Sequence, residues 1–188
     1  FVDEINIFGN FITEEKVIRN SLVLDEGDAY NEFLLNKSVS SIRSRGFFSS
    51  VTTSVKESPN DPQKKIIDVN VVESPSGEIF AGAGTGTSGA TISAGIKEKN
   101  YLGKGIKLLT NFSLSEDQIR GKFSVVNPNF RNSDRSLNTT FESTNTDSLS
   151  TSGFKTSRTG FSIGTGFEQY DDLFVNLDIS AYYEKLET

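Results

Sequence analysis

The chain has 188 residues, a formal net charge of −6 and a hydrophobic share of 35%, with 15 Phe but no Cys, His, Met or Trp. The absence of Cys and His excludes disulfides, thiolate metal sites and histidine-dependent catalysis such as Ser-His-Asp hydrolysis. The negative charge, with Lys and Arg scattered along the chain, argues against nucleic acid as a partner.

The first 74 residues predict a small α+β domain with the order βααββ. Residues 1–8 alternate apolar and polar side chains as a strand does, and Thr13 is predicted to cap the helix that follows. A second helix is predicted over residues 31–44. Its apolar face is predicted to comprise Phe33, Leu34, Val39 and Ile42. Two strands, predicted over residues 47–57 and 64–73, complete the domain.

From residue 75 onward the sequence shows only strand-type alternation, which predicts about seven antiparallel strands. A half-exposed soluble sheet would give the same alternation. However, the strands run to about ten residues, which is the length that crosses a bilayer. The face opposite the apolar one is also rich in Gly, Ser, Asn and Lys, which suits a wet barrel lumen. We therefore predict a membrane-barrel segment over residues 75–188, with a long external loop at residues 144–157.

The stretch "GTGTSG", residues 84–89, matches the glycine fingerprint of dinucleotide-binding loops. Such a loop needs a helix directly after it, whereas residues 90–98 alternate as a strand. We therefore expect no nucleotide. Gly82, Gly84 and Gly86 share one face of one strand, and interior glycines weaken strand pairing. The expected result is a weakly held strand that ends in a hairpin tip at residues 87–89.

Several segments carry a resemblance to a known family. They are "INIFGNFITEEKVIRNSLVLDEGDAYN", "SIRSRGFFSSVTTSV", "IIDVNVVESPSGEIFAGAGTGTSG" and "NYLGKG". Together they resemble the BamA family of outer-membrane assembly factors, within the outer-membrane insertase superfamily. The resemblance spans the whole chain, and the link from "VNVVE" through the glycine-rich strand to "NYLGKG" is its most specific part. It implies that residues 1–74 are the last POTRA domain and that residues 75–188 begin a sixteen-stranded barrel. Because the chain lacks Met and opens inside an alternation, we expect it to be an internal piece of a longer protein.

The resemblance also implies three sets of site residues. A client strand would pair with the backbone edge of the first barrel strand, at Glu78, Phe80, Gly82, Gly84 and Gly86. The POTRA strand over residues 46–55 offers a second edge, at Phe47, Ser49, Val51, Thr53 and Val55. The alternative is that this strand is an ordinary sheet edge, on which the charged residues Lys56 and Glu57 discourage pairing with another strand. Periplasmic turns are implied at Tyr101, Leu102, Gly103, Asn127 and Pro128, and a further one at "QYDD".

The implied function is the assembly and insertion of β-barrel proteins into the outer membrane, with the POTRA domain in the periplasm. This role is not enzymatic and needs no cofactor or metal. The implied partners are unfolded β-barrel clients, periplasmic accessory lipoproteins and outer-membrane lipid. An autotransporter-assembly module or a two-partner secretion pore would share the layout and is the alternative. A soluble nucleotide-dependent enzyme would instead need a helix over residues 90–99.

Overall fold

The computed structural model describes residues 1–86, 89–170 and 173–188, without the side chains of residues 150 and 151. The chain divides into two compact units. The first contains residues 1–76 and 99–105, and the second contains residues 77–98 and 106–188. No helix within the described ranges is both long and apolar enough to cross a membrane.

The first unit contains a three-stranded sheet and two helices. The elements are β1 (Val2–Phe8), α1 (Glu15–Arg19), α2 (Glu32–Ser44), β2 (Phe48–Glu57) and β3 (Lys65–Glu73). The sheet order is β1-β3-β2, with β1 parallel and β2 antiparallel to the central β3. Ile67, Val69 and Val71 of β3 are buried in the core together with Ile42 of α2. The predicted βααββ order is confirmed.

Two local predictions in this unit are wrong. Helix α1 begins at Glu15 with Glu14 as its N-cap and has no side-chain cap, because the Thr13 hydroxyl instead accepts a hydrogen bond from Asn100. Phe33 is 74% exposed, and Leu35 is buried in its place. Residues 35, 39 and 42 follow helical spacing along one face, and Phe33 lies about 200° around the helix from Leu35.

The second unit is a seven-stranded sheet in which each strand lies beside the next one in sequence. The strands are β4 (Gly77–Gly86), β5 (Gly89–Tyr101), β6 (Ile106–Ser115), β7 (Gln118–Asn127), β8 (Arg135–Ser148), β9 (Phe154–Tyr170) and β10 (Leu173–Glu187). The predicted run of strands is therefore confirmed. Residues 89–101 form a strand, so the glycine motif is not followed by the helix that a dinucleotide loop requires.

The two faces of this sheet differ in polarity. On one face, Phe141 stands opposite both Phe123 and Phe161, yet Phe141 and Phe161 are still 49% and 46% exposed. The other face carries charges, including an ion pair of 2.9 Å between Arg120 and Glu142. An exposed apolar face backed by a polar one is the pattern of a membrane-barrel wall.

The long loop predicted at residues 144–157 is largely strand. Strand β8 runs to Ser148 and β9 begins at Phe154, with only α3 (Leu149–Ser152) and Gly153 between them. Polar cross-strand pairs extend the sheet, because the Ser143 and Thr159 hydroxyls lie 3.0 Å apart and Lys155 pairs with Asp147 at 3.3 Å. Such polar residues resemble a loop in sequence although they pair as strands. The predicted hairpin tip at residues 87–88 and Asp171-Asp172 of the "QYDD" turn lie outside the described residues.

Candidate functional site

The predicted edge strand is β4, and it carries all five residues of the predicted client-binding edge, namely Glu78, Phe80, Gly82, Gly84 and Gly86. Its register with β5 pairs Glu78 with Lys97, Phe80 with Gly95 and Gly84 with Thr91. Among the described residues, β5 is the sole partner of β4, so the opposite backbone edge of β4 is unpaired there. A free backbone edge is a template on which another strand can add.

The glycines of β4 are not required by space or by backbone conformation. A Cβ added at Gly84 or Gly86 would meet no atom within 4 Å, and at Gly82 only the Ser93 hydroxyl at 3.7 Å. None of the three has a positive φ. By contrast, a Cβ at Gly95 would overlap the Phe80 ring and the Thr110 carbonyl. The β4 glycines therefore weaken the strand without serving its packing.

The second predicted edge is β2, which lies at one side of the POTRA sheet and pairs only with β3 among the described residues. Phe47, which directly precedes β2 and was predicted to lie in it, and Val51 are buried in the core, with exposures of 1% and 0%, so their side chains are not available to a partner. Ser49 and Val55 are exposed, and Thr53 is partly exposed. Of the five predicted residues, only these three can therefore offer their side chains to a partner, in addition to the backbone of β2.

Leu102 and Gly103 lie in the first predicted turn and Tyr101 ends β5 just before it; all three belong to the first unit, which the sequence did not predict. The buried Asn100 side chain donates to the Thr13 hydroxyl at 2.8 Å and accepts from the Gly105 N–H at 2.7 Å. The Glu14 N–H donates to the Gly103 carbonyl at 2.8 Å. Gly103 has φ +71°, and a Cβ there would overlap the Ile12 carbonyl. The turn is thus fitted closely against the loop that precedes α1.

Glu73, at the end of β3, fixes that loop. Its carboxylate accepts hydrogen bonds from the backbone N–H groups of Phe11, Ile12 and Thr13, at 3.0, 3.0 and 2.6 Å. Burial opposes the charge of Glu73, but the donors on Thr13, Ile12 and Phe11 outweigh it and hold the pKa of the carboxyl below its ordinary value. Glu73, Thr13 and Asn100 therefore form a chain of hydrogen bonds from β3 to the first turn. In the sequence, Glu73 is marked only by its place at the end of a predicted strand.

Replacing Glu73 with Ala should lower the free energy of unfolding of a soluble piece spanning residues 1–76 by about 2 kcal/mol at neutral pH, because hydrogen bonds to a charged group are lost. A lowered folded-state pKa means that this stabilisation is complete above the ordinary glutamate pKa of about 4.3. It declines as the pH falls below that value and is gone below the folded-state pKa. Urea unfolding followed by circular dichroism at pH 7 and pH 4 measures both effects.

Glu57→Ala is the matched control, since exposed Glu57 only faces Lys65 at 3.6 Å. It should change stability by less than about 1 kcal/mol. An equal loss in the two variants, or a Glu73→Ala loss that does not shrink at low pH, would show that the carboxylate does not hold the loop.

The second predicted turn, at Asn127 and Pro128, is local to the sheet unit. Asn127 ends β7, and its side chain accepts a hydrogen bond from the Asn129 N–H at 3.2 Å. The connection continues through a short 3₁₀ helix, Phe130–Asn132, in which Arg131 and Asn132 have positive φ. The structure thus places these residues in a turn of a different kind from the first.

Comparison with known families accounts for both units. Residues 1–74 match the POTRA family, described as a surface antigen variable number repeat, and residues 100–188 match the Omp85 superfamily domain. The chain thus contains a POTRA domain followed by an Omp85 domain. Omp85 proteins with a POTRA domain lie in the outer membrane, and the POTRA domain of this chain is in the periplasm. The exposed apolar face of the sheet is accordingly its lipid-facing side.

Two curated relatives of this chain are named outer membrane protein assembly factor BamA. The one from Neisseria meningitidis is 28% identical over 131 residues, which is 69% of this chain and 16% of that protein. The one from Neorickettsia risticii is 35% identical over 86 residues, or 46% of this chain and 11% of that protein. The chain thus spans less than a fifth of these relatives.

Solved structures share the fold. The crystal structure of Haemophilus ducreyi BamA lacking POTRA domains 1–3 matches all of this chain and 36% of its own, with 25% identity and a TM-score of 0.85. CdiB from Escherichia coli matches 98% of this chain and 37% of its own, with a TM-score of 0.70 but 10% identity. The likeness to CdiB therefore concerns the fold alone.

Proposed function

We propose that this protein assembles β-barrel proteins into the outer membrane and that a client strand pairs with the free edge of β4. The observation that carries the proposal is that β4, an edge strand of the described sheet like β10, has three glycines that its packing does not require. The similarity to BamA proteins, which are named assembly factors, supports the same function.

The physical reason lies in the membrane. Backbone N–H and C=O groups that are left unpaired in hydrocarbon are costly, so a client strand gains most by pairing where water is absent. Adding a strand to an existing edge satisfies a whole row of these groups at once. This gain needs no cofactor and no covalent step. The side chains of β4 then matter less than the accessibility of its backbone edge.

The edge of β2 is proposed as a second docking place, in the periplasm. Its exposed residues Ser49, Thr53 and Val55 would contact an extended segment of a client or of an accessory lipoprotein. Lys56 forms an ion pair with Asp68 at 2.6 Å. It lies near the C-terminal end of β2, so its charge discourages strand pairing only at that end. Outer-membrane lipid completes the proposed set of partners.

The second candidate is a secretion pore or an autotransporter-assembly module with the same two units. The structural likeness to CdiB supports it, because a protein outside the BamA group shares nearly the whole fold of this chain. Fold alone therefore does not separate the candidates. The higher sequence identity to BamA favours barrel assembly.

Depletion of the full-length protein from its own cell distinguishes the two. Barrel assembly predicts that many outer-membrane proteins fall together, while a secretion pore predicts the loss of one exported substrate with other barrel proteins unchanged. Restoring the full-length protein should reverse the effect. Normal levels of all other outer-membrane barrels after depletion would contradict the proposed function.

A further inference from the structure

Three apolar side chains of the POTRA-side unit are exposed around one backbone contact. Phe11 and Ile12 are 94% and 73% exposed, and Leu102 in the first turn is 67% exposed. The loop and the turn meet where the Glu14 N–H donates to the Gly103 carbonyl at 2.8 Å. Each of the three residues lies within three positions of that contact along the chain. We call Phe11, Ile12 and Leu102 the loop–turn patch.

The backbone that carries Phe11 and Ile12 is held in place by hydrogen bonds. The N–H groups of Phe11 and Ile12 are both bonded to the Glu73 carboxylate at 3.0 Å, which holds their backbone in place while both side chains lie outside the core. The Asn10 side chain donates to the Thr13 carbonyl at 3.1 Å and closes the loop. Adjacent, rigidly presented apolar side chains mark a surface that something covers.

The position of the turn indicates what covers the patch. Residues 102–105 join β5 to β6, and the lipid-facing residues of these two strands include Ile92, Ile96 and Leu108. Ile96 and Leu108 lie six residues before and six residues after Leu102. A turn directly after a membrane-crossing strand lies at the level of the lipid headgroups, where exposed apolar and aromatic residues are characteristic.

The charge of the turn fits the same surface. Residues 99–105 contain no acidic residue and two lysines, Lys104 and Lys99, of which Lys99 donates to the Gly46 carbonyl at 3.4 Å. The nearest acid of the loop, Glu14, is paired with Lys16 at 2.5 Å. Lysines beside an apolar patch favour a bilayer that contains anionic phospholipid.

We propose that the loop–turn patch anchors the POTRA domain to the periplasmic surface of the outer membrane. Phe11, Ile12 and Leu102 enter the bilayer at headgroup depth, and Lys104 lies beside anionic headgroups. The contact is with phospholipid, not with a client, and it does not depend on strand templating at β4. It deepens the role of the first turn, which then links the POTRA domain to the bilayer as well as to the barrel strands.

A fluorescence experiment on the full-length protein tests the anchor. Ile12→Cys carries an environment-sensitive dye, and the protein is reconstituted into vesicles of phosphatidylethanolamine and phosphatidylglycerol that contain nitroxide-labelled lipid. The chain has no Cys of its own, so the label is unique within it. The matched control is Phe33→Cys on α2, where the native side chain is 74% exposed, as much as Ile12. We expect strong lipid quenching at position 12 and little at position 33.

Two further variants keep the test specific. Phe11→Ser in the Ile12→Cys background should lower the equilibrium ratio of inserted to free loop about tenfold, because one large apolar side chain is no longer buried in lipid. Lys104→Gln should weaken quenching only in vesicles with phosphatidylglycerol. Equal quenching at positions 12 and 33, or no effect of Phe11→Ser, would overturn the anchor. Shielding of position 12 that appears only after another protein is added, without lipid quenching, would also overturn it in favour of a protein partner.

Discussion

Gly103→Val should separate the first turn from the POTRA loop and cause a severe defect in barrel assembly. Gly103 has φ +71°, and a Cβ there would overlap the backbone carbonyl of Ile12. A valine cannot be accommodated unless the turn moves away, which would break the Asn100–Thr13 hydrogen bond. The left-handed backbone adds about 1–2 kcal/mol of strain. Hydrogen exchange at the Thr13 and Gly105 amides measures the separation of the turn from the loop. Growth of cells in which the variant is the sole copy of the protein measures the assembly defect.

Gly27→Val is the matched control for this prediction. Gly27 lies in the same unit with φ +96°, but a Cβ there meets nothing within 4 Å. This variant carries the same backbone strain without the overlap, so it should lose about 1–2 kcal/mol of stability and still support growth. If the two variants show the same growth and stability, backbone strain alone accounts for the Gly103→Val defect, and the contact between turn and loop is not needed for function.

Replacing Gly82, Gly84 and Gly86 together with Val should stabilise β4 and slow client insertion. The three sites have room for a side chain, and β-branched residues favour strands by up to about 1 kcal/mol each. A β4 that pairs more firmly, including with any barrel strand that covers its second edge, exposes that edge less often, so we expect insertion to slow about ten- to hundredfold. The barrel itself should withstand a higher temperature before it unfolds in detergent. The rate of client folding into vesicles that contain the purified variant measures the first effect.

Gly121→Val is the control that distinguishes a change in the edge strand β4 from a general stabilisation of the sheet. Gly121 lies in β7, which has neighbours on both sides, and a Cβ there also meets no atom within 4 Å. This variant should gain heat resistance without slowing insertion. An unchanged insertion rate in the triple variant would mean that weak pairing of β4 is not what admits the client.

The sequence predicted those parts of the fold that are encoded locally. Alternation along the chain placed the seven sheet strands, and helical spacing placed α2, because these patterns depend only on neighbouring residues. The glycines of β4 were recognisable for the same reason. Val39 and Ile42 were assigned correctly to the core, whereas Phe33 was not, because the register of the helix depends on where it begins.

Contacts between distant residues could not be predicted in this way. Asn100 bonds to Thr13 across 87 positions, and Glu73 bonds to Ile12 across 61. No local pattern marks such partners, so Thr13 resembled a helix cap and the first turn resembled an ordinary hairpin. The exposure of Phe11 and Ile12 was hidden for the same reason, because it follows from the position of Glu73.

Site-specific crosslinking at β4 tests the central claim most directly. Single cysteines at Ile79, Ala81 and Ala83 keep the glycines intact and share the face of β4 that carries Ile79. Each is combined with cysteines along the terminal strand of a client during assembly by the full-length protein. Ile163→Cys in β9, which has neighbours on both sides, is the control and should not crosslink.

Antiparallel pairing on the β4 edge predicts a defined register. Moving the β4 cysteine forward by two residues should move the preferred client position back by two, because facing residues in adjacent strands lie about 5 Å apart. Crosslinks that follow this rule at all three β4 positions would support templating on β4. Crosslinks absent from every register, or equally frequent at Ile163, would contradict it.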